Sequence, residues 1–171
     1  MLCSLKAYKG VFEFIKLAEN LRKYKFVLVI NAEMDAINTF FVHTNLPANL
    51  TIFPAQNNVH SFYQSAHLLV NLSWTDRWVE TFGMTILEAM RLGVVVCASD
   101  VGAVSEVVEH DRTGLIIADS DREIYVRNAI ALLQNLSTNP AALQRLSLAA
   151  ADKATEFDWH NSSKNLIGQL H

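Results

Sequence analysis

Two runs constrain the fold of this chain more than any other feature: Phe26–Ile30 (F-V-L-V-I) and Val94–Ala98 (V-V-V-C-A). Neither shows the polar alternation of a strand with one wet face. An unbroken apolar run of this length suits a strand buried on both faces, the habit of parallel sheets sandwiched between helices. Four more strand-like segments accompany them, Met1–Leu5, Leu50–Phe53, His67–Leu72 and Leu115–Ile117. Between strands the apolar period changes. Val11, Phe12, Phe14, Ile15, Leu17, Ala18 and Leu21 follow helical spacing. Further helices are expected at Glu33–Thr44, Val59–Ala66, the stretch ending at Gly93, Val104–Glu109, Asp121–Leu136 and Pro140–Phe157, with a last one from Trp159. Pro140 suits the first turn of its helix.

This alternation predicts an α/β domain over 1–171: a Rossmann-like, doubly wound, six-stranded parallel sheet with helices on both faces. The default strand order is 3-2-1-4-5-6, which makes strands one and four neighbours. Ligands of such sheets bind beyond the carboxyl ends at that switch point. The segment after strand one carries Lys6 and Lys9, and the segment after strand four carries Glu80 and Phe82-Gly83. Cationic side chains and carboxylates are therefore expected to converge on one crevice.

Composition narrows the function classes. At 51% hydrophobic and 18% charged residues, the chain has the makings of one well-buried core and not of a disordered tail. Its net charge of −3 supplies no basic field for nucleic acid. No apolar run reaches the length of a membrane span, and residues 1–10 lack a signal-peptide pattern. Cys3 and Cys97 lie in apolar strand-like runs and are expected as buried free thiols, which suits a reducing, cytoplasmic compartment. The histidines show no metal-ligand spacing with either cysteine, so neither metal nor cofactor is expected. The sequons at Asn49, Asn71, Asn135 and Asn161 are chance matches in such a setting.

The chemistry concentrates in Glu80–Gly93, E-T-F-G-M-T-I-L-E-A-M-R-L-G. Glu80 precedes a helix, Gly83 permits close backbone approach at its start, and Glu88 interrupts its apolar run. Unpaired N–H groups at a helix start suit an anion, phosphate above all.

That stretch, continued by V-V-V-C-A-S-D-V-G-A-V-S-E-V-V-E-H-D-R-T-G-L-I-I, resembles the C-terminal, donor-nucleotide-binding domain of the group 1 (family 4-type) glycosyltransferases. These are retaining enzymes of the two-Rossmann-domain GT-B architecture, with an E-x7-E signature. Lys9-Gly10, Asn71-Leu72-Ser73 and Phe157-Asp158-Trp159 resemble other family positions. The resemblance implies that Glu88 accepts hydrogen bonds from the ribose hydroxyls of a nucleoside-diphosphate sugar. It implies that Glu80 faces the donor sugar and that Lys9 neutralises the diphosphate. Backbone N–H groups of Phe82, Gly83, Met84 and Thr85 would line diphosphate and sugar, and Pro54 and Ala55 would form the wall beside the base.

Three positions depart from the family pattern. Ser4 stands where the family has an arginine, with Lys6 as the nearest substitute charge. Ala103 replaces the second glycine after strand five, and His67 replaces an aspartate at the start of strand four. Trp74 and Trp78 have two readings, sugar stacking or packing onto the sheet edge, and packing is preferred. Nothing here corresponds to the family's N-terminal acceptor domain. The resemblance therefore implies half of an enzyme, whose acceptor, a glycan or lipid-linked glycan, would be met through that other domain, with the full enzyme at most peripheral to a membrane. The family's commonest use implies polysaccharide or lipopolysaccharide biosynthesis. The alternatives are a non-catalytic sugar-nucleotide-binding module and one half of a nucleotide-sugar epimerase.

Overall fold

The computed structural model describes residues 1–74, 84–100, 102, 104–117 and 121–157. Strands β1 (Leu2–Ser4), β2 (Phe26–Asn31), β3 (Leu50–Phe53), β4 (Leu68–Asn71), β5 (Val95–Ser99) and β6 (Gly114–Ile117) alternate with helices. These are α1 (Val11–Asn20), α2 (Met34–Phe40), α3 (His60–Ser65), α4 (Met84–Arg91) and α5 (Val104–Val107), followed after β6 by α6 (Arg122–Ser137) and α7 (Pro140–Thr155). All strand pairings are parallel.

The hydrogen-bonded order is β1-β2-β3 in one sheet and β4-β5-β6 in another. Each half has the expected order, but the single six-stranded ladder is replaced by two three-stranded ones. The reason lies in β1. Its three residues pair only with Val29–Asn31, the carboxyl half of β2. Towards the amino ends the two halves part around an apolar cavity of about 550 Å³, lined in part by Met1, Leu2, Phe26, Val27, Leu68 and Leu69.

The halves nevertheless share their core. Leu28 and Ile30 of β2 lie in one layer with Val70, Val95, Cys97, Leu115 and Ile117, covered by α1 and α6. On the opposite face, Leu69, Val96 and Ala98 pack with Tyr63 of α3, with α4 and α5, and with Ala150 and Ala154 of α7. In β5, alternate residues thus enter different layers, and Val95 to Ala98 are all fully buried. That is why this run has no polar alternation. The winding also reverses at β4. Right-handed crossovers then set α1 and α2 on one face and α4 and α5 on the other.

Helix ends follow local chemistry. Asn49 donates through Nδ2 to the carbonyls of Ala18 (3.0 Å), Leu21 (3.3 Å) and Tyr24 (2.9 Å), closing the carboxyl end of α1 against the start of β3. Asp121 caps α6 by accepting from the Glu123 and Ile124 N–H groups, and Asn139 caps α7 ahead of Pro140. Helix α2 stops at Phe40, short of the expected Thr44. Phe40 stacks on Phe12 at 5.6 Å and Phe41 meets the same ring edge-on at 6.0 Å. This aromatic anchoring turns the chain before its polar continuation, with the Thr44 N–H returning to the Phe41 carbonyl. The expected segment from Trp159 lies outside the described residues. No described helix is long and apolar enough to cross a membrane.

Candidate functional site

After β1 the chain passes exposed Lys6 and forms a 3₁₀ turn, Ala7–Lys9, before Gly10 opens α1 at φ +79°. Glycine is required there twice over. The left-handed backbone disfavours a side chain, and a Cβ would stand 2.2 Å from the Leu72 carbonyl oxygen and 2.5 Å from the Leu72 Cβ. The segment after β1 therefore lies directly on the segment after β4. A backbone hydrogen bond ties them again, Trp74 N–H to the Tyr8 carbonyl at 2.8 Å. Asn71, at the end of β4, holds the exit by accepting from both the N–H and the hydroxyl of Ser73. The segments after β1 and β4 thus meet at the carboxyl edge, although no ladder joins β1 to β4. The partners with which Lys6 and Lys9 were expected to converge, Glu80 and Phe82-Gly83, lie outside the described residues. Half-buried Lys9 belongs to this junction. The 550 Å³ cavity lies at the opposite, amino-terminal end of the strands and plays no part in it.

Across the junction, α4 begins with exposed Met84 and half-buried Thr85. Ile86, Leu87, Ala89 and Met90 are buried, so the helix is pinned by its apolar face. Glu88 comes one turn in, about 6 Å along the axis from Met84. Tyr63 of α3 donates its hydroxyl to Glu88 Oε2 at 2.9 Å. Burial, followed by the hydrogen bond to Glu88 and its charge, raises the Tyr63 pKa far above the ordinary phenol value, so the hydroxyl stays a donor.

The remaining sites expected from sequence divide into two groups. Pro54 and Ala55 follow β3 at the same carboxyl edge, where the Ala55 N–H donates to the Ala32 carbonyl at 3.0 Å. They stand on the far side of β2 from Lys9. Ser4, in the place of the family arginine, is the half-buried last residue of β1. Glu80, Phe82 and Gly83 lie outside the described residues, as do Trp78 and Trp159. Trp74 carries the Arg122 guanidinium of α6 over its ring, the guanidinium carbon 3.2 Å from the ring centroid. Glu106 is an exposed residue of α5, and Asp111 (φ 57°) and Arg112 form a turn, as expected.

Sequence reasoning missed three polar features. Tyr63, only 3% exposed, is in the sequence just one residue of a short helix. Tyr125 of α6 shares a 2.7 Å hydrogen bond with Ser99 at the end of β5. Glu13, in the first turn of α1, is buried, and its Oε2 has no hydrogen-bond partner among the described residues. One signal was available. A tyrosine on an apolar helix face must bring its hydroxyl to a polar partner. Both cysteines are free as expected, but only Cys97 is fully buried; Cys3, in the short β1, is half-buried. Loss of solvation pushes Cys3 up to about 11 and Cys97 to about 12.

Residues 1–147 match the family described as glycosyl transferases group 1. The chain belongs to that family. This group 1 domain is 28% identical over 138 residues to the D-inositol 3-phosphate glycosyltransferase of Mycobacterium avium, covering 80% of the chain and 31% of the relative. It is 44% identical over 80 residues to the lipopolysaccharide core biosynthesis mannosyltransferase LpsB of Rhizobium meliloti, covering 46% of the chain and 22% of the relative. The chain therefore spans less than a third of either curated relative. Among solved structures, Anabaena HepE in complex with UDP superposes with a TM-score of 0.80 at 17% identity, covering 99% of this chain and 48% of that one. The group 1 domain thus has the fold of one Rossmann-like half of a GT-B glycosyltransferase.

Proposed function

We propose that this domain is the donor-binding half of a retaining glycosyltransferase, which transfers a hexose-type sugar from a nucleoside diphosphate to an acceptor hydroxyl in polysaccharide or lipopolysaccharide synthesis. The observation that carries the reading is the junction at the carboxyl edge. Gly10 on Leu72 and Trp74 on Tyr8 bring the Lys9 turn beside the segment leading to α4, whose Glu88 stands one turn inside. The UDP in the HepE structure and the glycan-transfer names of the relatives support it. In this reading Lys9 and the N–H groups at the start of α4, Met84 and Thr85 among them, receive the diphosphate. Glu88 takes the ribose and Glu80 faces the sugar, while Pro54 and Ala55 flank the base. The chemistry is positioning and stabilisation of the departing diphosphate, with no metal required.

The test is titration calorimetry with UDP, GDP, ADP and their free nucleosides. A charge-assisted hydrogen bond to phosphate is worth about 1.5–3 kcal/mol. Lys9→Ala should therefore weaken the preferred diphosphate roughly tenfold or more and leave its nucleoside nearly unchanged. Equal losses on both ligands would refute the phosphate role.

A further inference from the structure

We propose that Tyr63 is a positioning residue which orients the Glu88 carboxylate for a ribose cis-diol, and so sets the preference for ribonucleotides over 2′-deoxyribonucleotides. The proposal rests on the reading of Glu88 as the ribose acceptor and adds a residue that the reading does not contain.

The terminal torsion of a glutamate is soft and roughly two-fold, so an unrestrained carboxylate turns freely. Glu88 is restrained. Its Oε2 accepts from the Tyr63 hydroxyl at 2.9 Å, which defines the carboxylate plane. A carboxylate has about four acceptor positions. One is taken by Tyr63, which leaves Oε1 and the second lone pair of Oε2 for a pair of vicinal hydroxyls.

The restraint is itself anchored. Tyr63 is 3% exposed and lies within the core layer shared with Ile86, Leu87 and Met90 of α4. Its neighbour Phe62 meets Phe53 of β3 edge-on at 5.2 Å, which ties α3 to the sheet. Helix α3 is also reached directly from Pro54 and Ala55, the expected base wall. A nucleoside lying between that wall and Glu88 would have its ribose at the carboxylate that Tyr63 holds. Removing the phenol oxygen leaves Glu88 in place with its orientation free. The cost of ordering it then falls on binding, and falls most on a ligand that uses both carboxylate oxygens.

The experiment measures calorimetric affinities of UDP, GDP and ADP and of their 2′-deoxy counterparts, and reads the ratio within the tightest-binding pair. Wild type should prefer the ribonucleotide by roughly tenfold or more, as expected for one lost charge-assisted hydrogen bond. Tyr63→Phe keeps the ring and its packing. It should weaken the ribonucleotide by roughly fivefold, leave the deoxyribonucleotide within about twofold, and reduce the preference accordingly. Adding Tyr63→Phe to Glu88→Gln should change the ratio little further, because the two act through one group. A Tyr63→Phe protein that melts lower but keeps the wild-type ratio would show a purely structural tyrosine and overturn the proposal. If Glu88→Gln itself leaves the ratio intact, the ribose reading of Glu88 fails and the proposal with it. If none of the three diphosphates binds, the donor reading falls as well.

Discussion

Replacing Gly10 by alanine tests the junction on which the site depends. The added Cβ meets two obstacles. The backbone at φ +79° is left-handed, which costs an L-residue roughly 1–2 kcal/mol. The Cβ would also stand 2.2 Å from the Leu72 oxygen and 2.7 Å from its carbonyl carbon, both backbone atoms that no rotamer change can withdraw. Leu72 is itself 1% exposed, so the clash can be relieved only by parting α1 from the end of β4. Overpacking of this kind costs typically about 1–3 kcal/mol. Together the two terms predict a loss on the order of 2–5 kcal/mol, or roughly 4–20 °C in melting temperature for a chain of this size. Gly93 supplies the comparison. It too is left-handed, at φ +70°, but a Cβ there meets the Ser147 hydroxyl oxygen at 3.0 Å and the Ser147 carbonyl oxygen only at the ordinary contact distance of 3.9 Å; the hydroxyl can give way at the expense of its hydrogen bond to the Gly93 carbonyl. Gly93→Ala should therefore cost about 1–3 kcal/mol, the conformational term plus any loss of that one hydrogen bond. Urea unfolding of both variants measures the difference. Because Lys9 immediately precedes the glycine, folded Gly10→Ala protein should also bind nucleoside diphosphate more weakly than Gly93→Ala protein does. If Gly10→Ala is no less stable than Gly93→Ala, the close approach to Leu72 is not what holds the junction together.

Two further outcomes are expected, the first from the proposed roles of the two glutamates and the second from burial. In a full-length enzyme, Glu80→Gln should depress turnover with little effect on the affinity for bare diphosphate, while Glu88→Gln should weaken that affinity by about 1–3 kcal/mol; equal losses of affinity in the two variants would refute the division. Burial disfavours the thiolate at Cys97, whose pKa is raised to about 12, and at Cys3, raised to about 11. Since the thiolate is the reactive form and Cys97 is fully buried, an aromatic disulfide reagent at pH 8 should not label Cys97 until the protein unfolds, while half-buried Cys3 should react only slowly; prompt labelling of Cys97 in the native protein would contradict the burial.

The amino-acid sequence by itself determined the elements and the class of fold. The unbroken apolar run at Val94–Ala98 is satisfied between two helical layers, which lie on either side of Val95–Ala98. The run at Phe26–Ile30 departs from that expectation at Val27, which is 37% exposed because the two half-sheets part around a cavity there. The meeting of the segments after β1 and β4 was legible from the reversal of winding between them, and Gly10 and Tyr8 meet Leu72 and Trp74 at the carboxyl edge. Local sequence did not contain the break between the half-sheets. Whether β1 pairs with β4 depends on where three short residues find backbone partners, and the register places them on β2 alone. Nor could it show that Gly10 bears on Leu72, because the contact joins residues far apart in the chain. Helix α2 ended early because Phe40 and Phe41 found Phe12, a partner outside the local window. Tyr63 was hidden most completely. Its ring reads as ordinary core, and only the packing of α3 beside α4 turns its hydroxyl towards Glu88. Periodicity records which face of an element is buried; which polar atom waits on that face is decided when two elements pack.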